Sequence, residues 1–200
     1  ATPTLTDALR TVVELTIEAE ERIAANGEVV RPLDKAALRT SLEKLKAKGK
    51  VEALTICFIN AYVNGEHERQ ARDVARKIFG KVPISISSDV VPEMQEYERT
   101  ETTVVNSYVY PEVSTYINNL QASLEKLMGK DVQLSILRSD GGLASSRAAA
   151  ESPVNLLMSG PAGGVAGAIY YASRAGYGDV LTFDMGGTST DVALIQGARA

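Results

Sequence analysis

Near its end the chain reads Phe183-Asp184-Met185-Gly186-Gly187-Thr188-Ser189-Thr190-Asp191-Val192-Ala193-Leu194. An apolar run from Val180 to Phe183 leads into the first aspartate, and another apolar run follows Asp191. Glycines and hydroxyl residues occupy the middle of the stretch. This pattern predicts a strand, a tight turn of small residues and a second strand.

The turn of this hairpin carries groups suited to phosphate. Its glycines let backbone N–H groups approach an anion closely, and its hydroxyl side chains add donors. Asp184 supplies a carboxylate oxygen for Mg²⁺ or for a water on it, and Asp191 either orients water or metal or caps the hairpin. An ordinary polar turn remains the alternative, because Gly and Asp are common turn residues. We expect catalytic roles for Asp184 and Asp191 and phosphate binding by Gly186, Gly187, Thr188 and Ser189.

A helix of small residues is predicted before the hairpin. It opens with Ser159-Gly160-Pro161-Ala162-Gly163-Gly164, and apolar residues then follow at helical spacing up to about Gly176. Glycines are poor helix formers, so Gly163 and Gly164 indicate close packing against another helix or against a nucleotide. The glycines miss the first, third and sixth places of a dinucleotide fingerprint, which makes Rossmann-type binding a minor alternative.

The order of these pieces resembles a known superfamily. A crossing helix of small residues, a strand and an Asp-x-Gly-Gly-Thr-x-x-Asp hairpin resemble the second phosphate motif of the actin, sugar kinase and Hsp70 ATPases. Within this superfamily the chain is similar to the hydantoinase A/5-oxoprolinase family, which includes ATP-dependent N-methylhydantoinases and acetone carboxylase subunits. Thr188 stands where Hsp70 has a third consecutive glycine, which favours the hydantoinase branch. Besides the hairpin, the matching segments are Glu96-Tyr97-Glu98-Arg99-Thr100, Thr102-Thr103-Val104-Val105-Asn106-Ser107-Tyr108, Arg138-Ser139-Asp140-Gly141-Gly142 and Ser159-Gly160-Pro161-Ala162-Gly163-Gly164.

The resemblance implies an α/β fold, namely a fragment of an actin-like (ribonuclease H-like) ATPase fold with parts of two lobes. Residues 1–85 would form the last part of the hydantoinase/oxoprolinase N-terminal domain. Residues 86–200 would begin the hydantoinase A ATPase domain and end with the phosphate-binding hairpin. The family's first phosphate hairpin and its adenosine-binding part are not found in these 200 residues, so we expect an internal piece of a larger enzyme.

The resemblance also implies an activity. The leading hypothesis is an ATP- and Mg²⁺-dependent hydrolase that phosphorylates and opens a cyclic amide of the hydantoin or 5-oxoproline type, with metal binding at Asp184. A related alternative is a subunit of an ATP-dependent ketone carboxylase. An alternative from another class is an ATP-driven conformational switch like Hsp70 or a reactivase. Family members often work with a second hydantoinase-type subunit, which makes such a subunit a candidate partner.

The rest of the chain predicts alternating helices and strands. A helix with the stripe Leu5, Leu9, Val12, Val13, Ile17 and Ile23 would begin at the capping box Thr4-Leu5-Thr6-Asp7 and end at Asn26-Gly27. A short strand at Val29-Val30, a helix capped by Asp34 and a buried strand from Val51 to Ile59 would follow. Next come a helix over about 66–79, a strand over about 82–87, an amphipathic helix over Val113 to Leu127 and a strand over Val132 to Leu137. Such alternation favours an α/β layer with parallel strands, and a boundary near residues 80–90.

Four further polar residues are candidates for a substrate pocket. Arg99 and Asn106 lie at helical spacing with two threonines, and a solvated helix face is the alternative. Arg138 and Asp140 follow a predicted strand, where α/β proteins place ligand residues, although Asp140-Gly141-Gly142 also fits a plain turn. The only histidine, His67, lies near a helix start without a visible nucleophile partner, so a structural or solvated role is expected.

Composition agrees with a soluble cytoplasmic enzyme. The chain has 200 residues, 44% hydrophobic and 23% charged, with a net charge of −4 that gives no reason to expect nucleic acid or an anionic membrane. No apolar stretch reaches the length of a membrane span. The single cysteine, Cys57, lies in an apolar run and cannot form an internal disulfide, so we expect packing rather than catalysis.

Overall fold

The computed structural model describes residues 15–199, which divide between Glu112 and Val113 into two compact units. Helices and short strands alternate along the chain, which confirms a mixed helix and strand architecture. The predicted boundary near residues 80–90 stays a prediction, and the compact units are described separately. No helix within the described residues is long and apolar enough to cross a membrane.

The first unit begins with a small antiparallel hairpin. Strands β1 (Arg22–Ile23) and β2 (Val29–Arg31) pair around a turn in which Gly27 has a φ of +88°. The predicted first helix is therefore wrong over 15–23, while its capping box and its stripe through Val13 lie outside the described residues. Asn26-Gly27 makes a hairpin turn instead of ending a helix, since a glycine at positive φ suits such turns.

A β–α–β unit follows the hairpin. Helix α1 (Lys35–Lys48) is capped as predicted by the Asp34 carboxylate, which accepts from the Ala36 and Ala37 amides. Strands β3 (Leu54–Ile56) and β4 (Ile84–Ile86) are parallel and are joined through helix α2 (Glu66–Phe79), which confirms the predicted order. Only three residues of the predicted strand from Val51 to Ile59 pair, because β4 is itself short. The core consists of Leu33, Leu38, Leu42, Ala71, Val74 and Ala75.

One long helix connects the two units along the chain. After the short helix α3 (Ser87–Val90), helix α4 runs from Glu96 to Met128 through Pro111. The sequence predicted its second half as a separate helix, since proline removes an N–H from the helical ladder and usually ends or kinks a helix. The division between the compact units falls directly after this proline.

The second unit contains the predicted phosphate-binding elements. Strands β5 (Ser135–Leu137) and β6 (Leu143–Ser145) form an antiparallel hairpin. Helix α5 (Ser146–Glu151), a 3₁₀ turn (Pro153–Leu156) and helix α6 (Ser159–Arg174) follow. Strands β7 (Val180–Met185) and β8 (Thr190–Ile195) form the antiparallel hairpin that the sequence predicted around the glycine turn. The core of this unit is made by Ile117, Ala149 and Ala150 with the partly buried Val113, Ile136, Ala144 and Leu156.

Candidate functional site

The β7–β8 hairpin holds two carboxylates directly opposite each other. Asp184 pairs with Asp191 in the strand register, and Met185 pairs with Thr190 one position closer to the turn. Opposite residues of an antiparallel pair lie on the same face, so both carboxylates flank the base of one loop. Neither forms an ion pair with any residue in the described part of the chain.

The loop between the carboxylates is short and open. The Gly186 amide donates to the Ser189 carbonyl at 2.9 Å and closes the turn. A side chain added at Gly187 would meet nothing within 4 Å. Neither loop glycine is among the left-handed glycines of the described chain. The glycines therefore provide space rather than an unusual backbone conformation, and space is what a bulky anion requires.

Helix α6 lies beside this hairpin. A methyl group added at Gly164 would come within 3.6 Å of the Asp184 Oδ2 atom. A methyl group at the preceding Gly163 would come within 2.8 Å of the Leu137 Cδ2 atom in β5. The two glycines thus permit two close approaches, one to β5 and one to the hairpin carboxylate. They are the fifth and sixth residues of the helix, one turn after its start.

The β5–β6 turn contacts the segment that precedes α6. The Ser139 hydroxyl accepts from the Met158 amide at 3.0 Å, and the Ser139 amide donates to the Asn155 carbonyl at 2.7 Å. Arg138 Nη2 lies 2.7 Å from Asp140 Oδ2, and Asp140 Oδ1 accepts from the Gly142 amide at 3.0 Å. The structure therefore places the predicted residues Arg138 and Asp140 in the turn next to α6, paired with each other.

Arg99 and Asn106 lie in the first unit and are buried there. The Arg99 guanidinium is 1% exposed and donates to the Ser87 hydroxyl and to the Phe58 and Glu93 carbonyls. The Asn106 amide donates to the Ser85 hydroxyl at 3.1 Å. These contacts join α4 to β4 and to the loop after β3. A substrate role for either residue stays a prediction.

A buried carboxylate in the same unit was missed by sequence reasoning. Glu68 is fully buried, and it accepts from the Phe58 and Ser88 amides and from the Ser87 hydroxyl at 2.6–2.8 Å. By its position alone, Glu68 is an acid in the first turn of a helix, where it favours the positive end of the helix dipole. A signal was present, because Glu68 occupies a position on the apolar stripe that continues through Ala71, Ala75 and Ile78. An acid on such a stripe indicates a buried polar network.

The histidine and the cysteine of the first unit have structural surroundings. His67 Nδ1 lies 2.7 Å from Glu21 Oε2, and both side chains are buried. Burial raises the pKa of the Cys57 thiol above its ordinary value, against opposing hydrogen bonds from threonine and serine hydroxyls. A raised pKa leaves less thiolate, which is the nucleophilic form. Within the described residues, no three acidic, histidine or cysteine side chains cluster as a metal site.

Comparison with known proteins identifies the relatives of this chain. The hydantoinase/oxoprolinase family matches residues 99–200, which is a little over half of the chain, and the N-terminal region of the same family matches residues 5–79. The chain belongs to the hydantoinase/oxoprolinase family.

Two enzymes illustrate the similarity in sequence. The caprolactamase subunit alpha of Pseudomonas jessenii is 35% identical over 89% of this chain and 25% of its own length. The 5-oxoprolinase of Saccharomyces cerevisiae is 34% identical over 87% of this chain and 13% of its own length. The chain therefore spans a quarter or less of these relatives.

Two solved structures have a similar backbone. The nucleotide-free structure of an acetone carboxylase, described as an ATP-dependent enzyme, has a TM-score of 0.79 with 31% identity and covers 90% of this chain and 26% of its own. The ATP-dependent caprolactamase of Pseudomonas jessenii has a TM-score of 0.77 with 35% identity and covers 88% of this chain and 25% of its own.

Proposed function

We propose that this chain is the phosphate-binding part of an ATP-dependent hydrolase that opens a cyclic amide. The observation that carries the proposal is the β7–β8 hairpin, whose two carboxylates face each other beside an open glycine loop and the start of α6. The family membership supports the proposal, and so does the similarity to enzymes named 5-oxoprolinase and ATP-dependent caprolactamase.

The loop and the helix start would bind the phosphates of ATP together. The backbone N–H group of Gly187 and the hydroxyls of Thr188 and Ser189 are the donors in the loop. Gly186, whose N–H closes the turn, would leave space for the phosphate. The first turn of α6 adds N–H groups and the positive end of the helix dipole. Gly163 and Gly164 keep the second turn of α6 free of side chains on the side that approaches β5 and Asp184.

The carboxylates fit a magnesium ion shared with the nucleotide. Like charges directly opposite in a hairpin destabilise it, so a cation between Asp184 and Asp191 would relieve the repulsion. Mg²⁺ is usually held by one or two carboxylates together with phosphate oxygens and waters, rather than by a cage made only of protein. Bound Mg²⁺ supplies charge neutralisation for the phosphate that is transferred. We assign Asp184 as the metal-directed carboxylate and Asp191 as a residue that orients water or metal.

The proposed reaction couples ATP hydrolysis to ring opening. The γ-phosphoryl group moves from ATP to the carbonyl oxygen of the amide, and ADP leaves. Water then adds to the activated carbon, and the carbon–nitrogen bond of the ring breaks as the nitrogen takes up a proton, which leaves an acyl phosphate. A second water attacks the carbonyl carbon of this acyl phosphate and releases phosphate together with the carboxylate. The loop donors would stabilise the charge that develops on the transferred group. The proposed contacts with the amide are made by Arg138 and Asp140 and by Arg99 and Asn106.

The same proposal covers the fold, the domains, the location and a partner. We infer an actin-like ATPase fold, with residues 1–85 ending the N-terminal domain and residues 86–200 beginning the ATPase domain.

ATP as a substrate favours the cytoplasm as the location of the protein. A second hydantoinase-type subunit is the proposed partner, and the caprolactamase and acetone carboxylase relatives are themselves named as subunits alpha and beta.

Ketone carboxylation is the second candidate. The similarity to the ATP-dependent acetone carboxylase favours it. In a carboxylation by this chain, the same hairpin would bind the phosphate that is transferred to an enolate or to bicarbonate. The distinguishing experiment measures ATP consumption by the full-length protein with its partner subunit. One set of assays contains lactams, hydantoins and 5-oxoproline, and the other contains ketones with bicarbonate.

Stimulation of ATP consumption by a cyclic amide supports the hydrolase, and stimulation that requires both ketone and bicarbonate supports the carboxylase. ATP consumption that no small molecule stimulates would contradict both.

A further inference from the structure

Helix α6 begins without a capping residue of its own. The residue at its N-cap position is Met158, whose side chain makes no capping hydrogen bond. In a capping box, the residue at the third helical position reaches back to the N-cap amide, but here that position is Pro161. The Met158 amide is bound instead by the Ser139 hydroxyl at 3.0 Å. A residue from the β5–β6 turn therefore completes the cap of α6.

Ser139 is held in place by hydrogen bonds at both its hydroxyl and its backbone amide. Its amide donates to the Asn155 carbonyl at 2.7 Å, within the 3₁₀ turn that leads towards α6. The turn around it is closed by the Gly142 amide on Asp140 and by the Arg138–Asp140 ion pair. Ser139 thus joins a closed turn to the segment that sets the direction in which α6 starts.

The contact continues from α6 to the hairpin. Gly163 approaches Leu137, which lies two residues before Ser139, and Gly164 approaches the Asp184 carboxylate. The β5–β6 segment therefore touches the start of α6 twice, at Met158 and at Gly163, and the next residue of the helix faces the carboxylate. A shift of this helix start would change the space beside Asp184.

We propose that Ser139 is a positioning residue for the phosphates of the nucleotide, because it holds the start of α6, and the next turn of this helix approaches the Asp184 carboxylate at Gly164. This inference rests on the function proposed above. Ser139 does not touch the nucleotide in this account, and it acts through the helix whose amides do. Displacements of about 1 Å at a phosphate site are enough to weaken catalysis strongly.

The test compares three variants of the full-length enzyme with its partner subunit. Ser139→Ala removes the acceptor of the Met158 amide, and Ser139→Thr keeps a hydroxyl in the same place. Ser145→Ala is the matched control, because the Ser145 hydroxyl also accepts from a backbone amide in the same hairpin, that of Ala148, but at the start of α5. Calorimetric titration gives the affinity for Mg²⁺-ATP, and steady-state kinetics give separate KM values for ATP and for the second substrate.

We expect Ser139→Ala to weaken Mg²⁺-ATP binding about fivefold to tenfold, because the free energy of the lost hydrogen bond to the Met158 amide no longer holds the helix start in its binding position. The KM for ATP should rise while the KM for the second substrate stays unchanged, and Ser139→Thr should recover most of the affinity. Ser145→Ala should leave ATP affinity unchanged even where it lowers the unfolding temperature by a similar amount.

Unchanged ATP affinity in Ser139→Ala would overturn the inference while leaving the proposed function intact. Equal losses in Ser139→Ala and Ser145→Ala would also overturn it, because the effect would then reflect stability alone. A wild-type enzyme that binds no Mg²⁺-ATP would overturn the proposed function, and the inference with it.

Discussion

Asp184 and Asp191 concentrate two negative charges at one level of a two-stranded hairpin. The described chain contains no ion-pair partner for either, so their repulsion is not compensated by a neighbouring cationic side chain. Opposed like charges in a hairpin cost stability, and a bound cation would offset that cost. The opposed carboxylates of Asp184 and Asp191 are therefore the basis for the proposed magnesium binding.

Asp184→Asn should slow turnover far more than it lowers stability. The change removes a charge directed at the metal while keeping the shape of the side chain, so the barrier should rise by about 3 kcal/mol. Steady-state kinetics of the full-length enzyme check this, with the unfolding temperature measured in parallel. Asp131→Asn, at an exposed site outside the hairpin, is the control. Turnover close to that of the wild type would refute the assignment of Asp184.

Glu68→Ala should instead destabilise the protein. Removing the carboxylate leaves the Phe58 and Ser88 amides and the Ser87 hydroxyl without their acceptor, and unsatisfied buried donors cost about 3 kcal/mol or more together. Thermal unfolding checks this. Glu43→Ala, on the exposed face of α1, should change stability by no more than about 0.5 kcal/mol. Equal unfolding temperatures for the two variants would show that the network around Glu68 contributes nothing.

At the scale of elements, the site depends on how closely α6 approaches its two neighbours. Gly163 meets β5 and Gly164 meets the hairpin, whereas a side chain at Gly167 would meet nothing within 4 Å. The glycines of this helix are therefore not equivalent. The two near its start permit close contact, and the third leaves open space.

Gly164→Val should weaken Mg²⁺-ATP binding, and Gly167→Val should not. The branched side chain at residue 164 would extend past the 3.6 Å point where a methyl group already touches the Asp184 carboxylate. The two substitutions change helix propensity equally, so the difference between them isolates the contact. Calorimetric titration of both full-length variants measures it. Equal affinities would mean that the space beside Asp184 is not used by the nucleotide.

Sequence patterns predicted the elements whose signals are local. Asp34 caps α1, α2 covers the residues that were predicted, and the β7–β8 hairpin pairs around its glycine turn, since each depends on residues close together in the chain. The helix predicted up to Ile23 failed, because Ile23 pairs with β2 and is buried there. The continuous helix through Pro111 was also missed, since packing along a long helix overrides a local preference against proline.

The candidate site was predictable only in part. The alternation of glycines, hydroxyls and aspartates identified the loop, but nothing in the sequence indicated that Ser139 would bind the Met158 amide 19 residues away. Helical spacing placed Arg99 and Asn106 on one face, but a buried structural network and a substrate pocket give the same spacing. Burial distinguishes them, and burial depends on contacts distant in sequence.

At the scale of the whole molecule, the β7–β8 hairpin leaves one face uncovered. Within residues 15–199 it forms a sheet of two strands, and large apolar side chains on one face are exposed: Leu181, Phe183, Met185, Val192 and Leu194. Isolated two-stranded hairpins are marginally stable in water, so the contacts with α6 carry much of its stability. The chain spans a quarter or less of the relatives described above.

Hydrogen exchange on the 200-residue polypeptide should be faster in the β7–β8 hairpin than in the core of the first unit. Amides of residues 180–195 should exchange faster than those of α2, whose inward face packs in the core of the first unit. The polypeptide should also bind ATP weakly or not at all. Mass spectrometry of peptides from the exchanged protein measures the first effect, and calorimetry measures the second. Strong protection of 180–195 in a monomer that binds ATP tightly would contradict both expectations.

The central claim is that phosphate is transferred from ATP to the oxygen of a cyclic amide. The most direct measurement uses a lactam labelled with oxygen-18 in its carbonyl group, the full-length enzyme with its partner subunit, and mass spectrometry of the phosphate released. We predict that ATP is consumed only when the lactam is present and that the phosphate carries the label. Phosphate without label, released at the same rate with and without the lactam, would contradict the account.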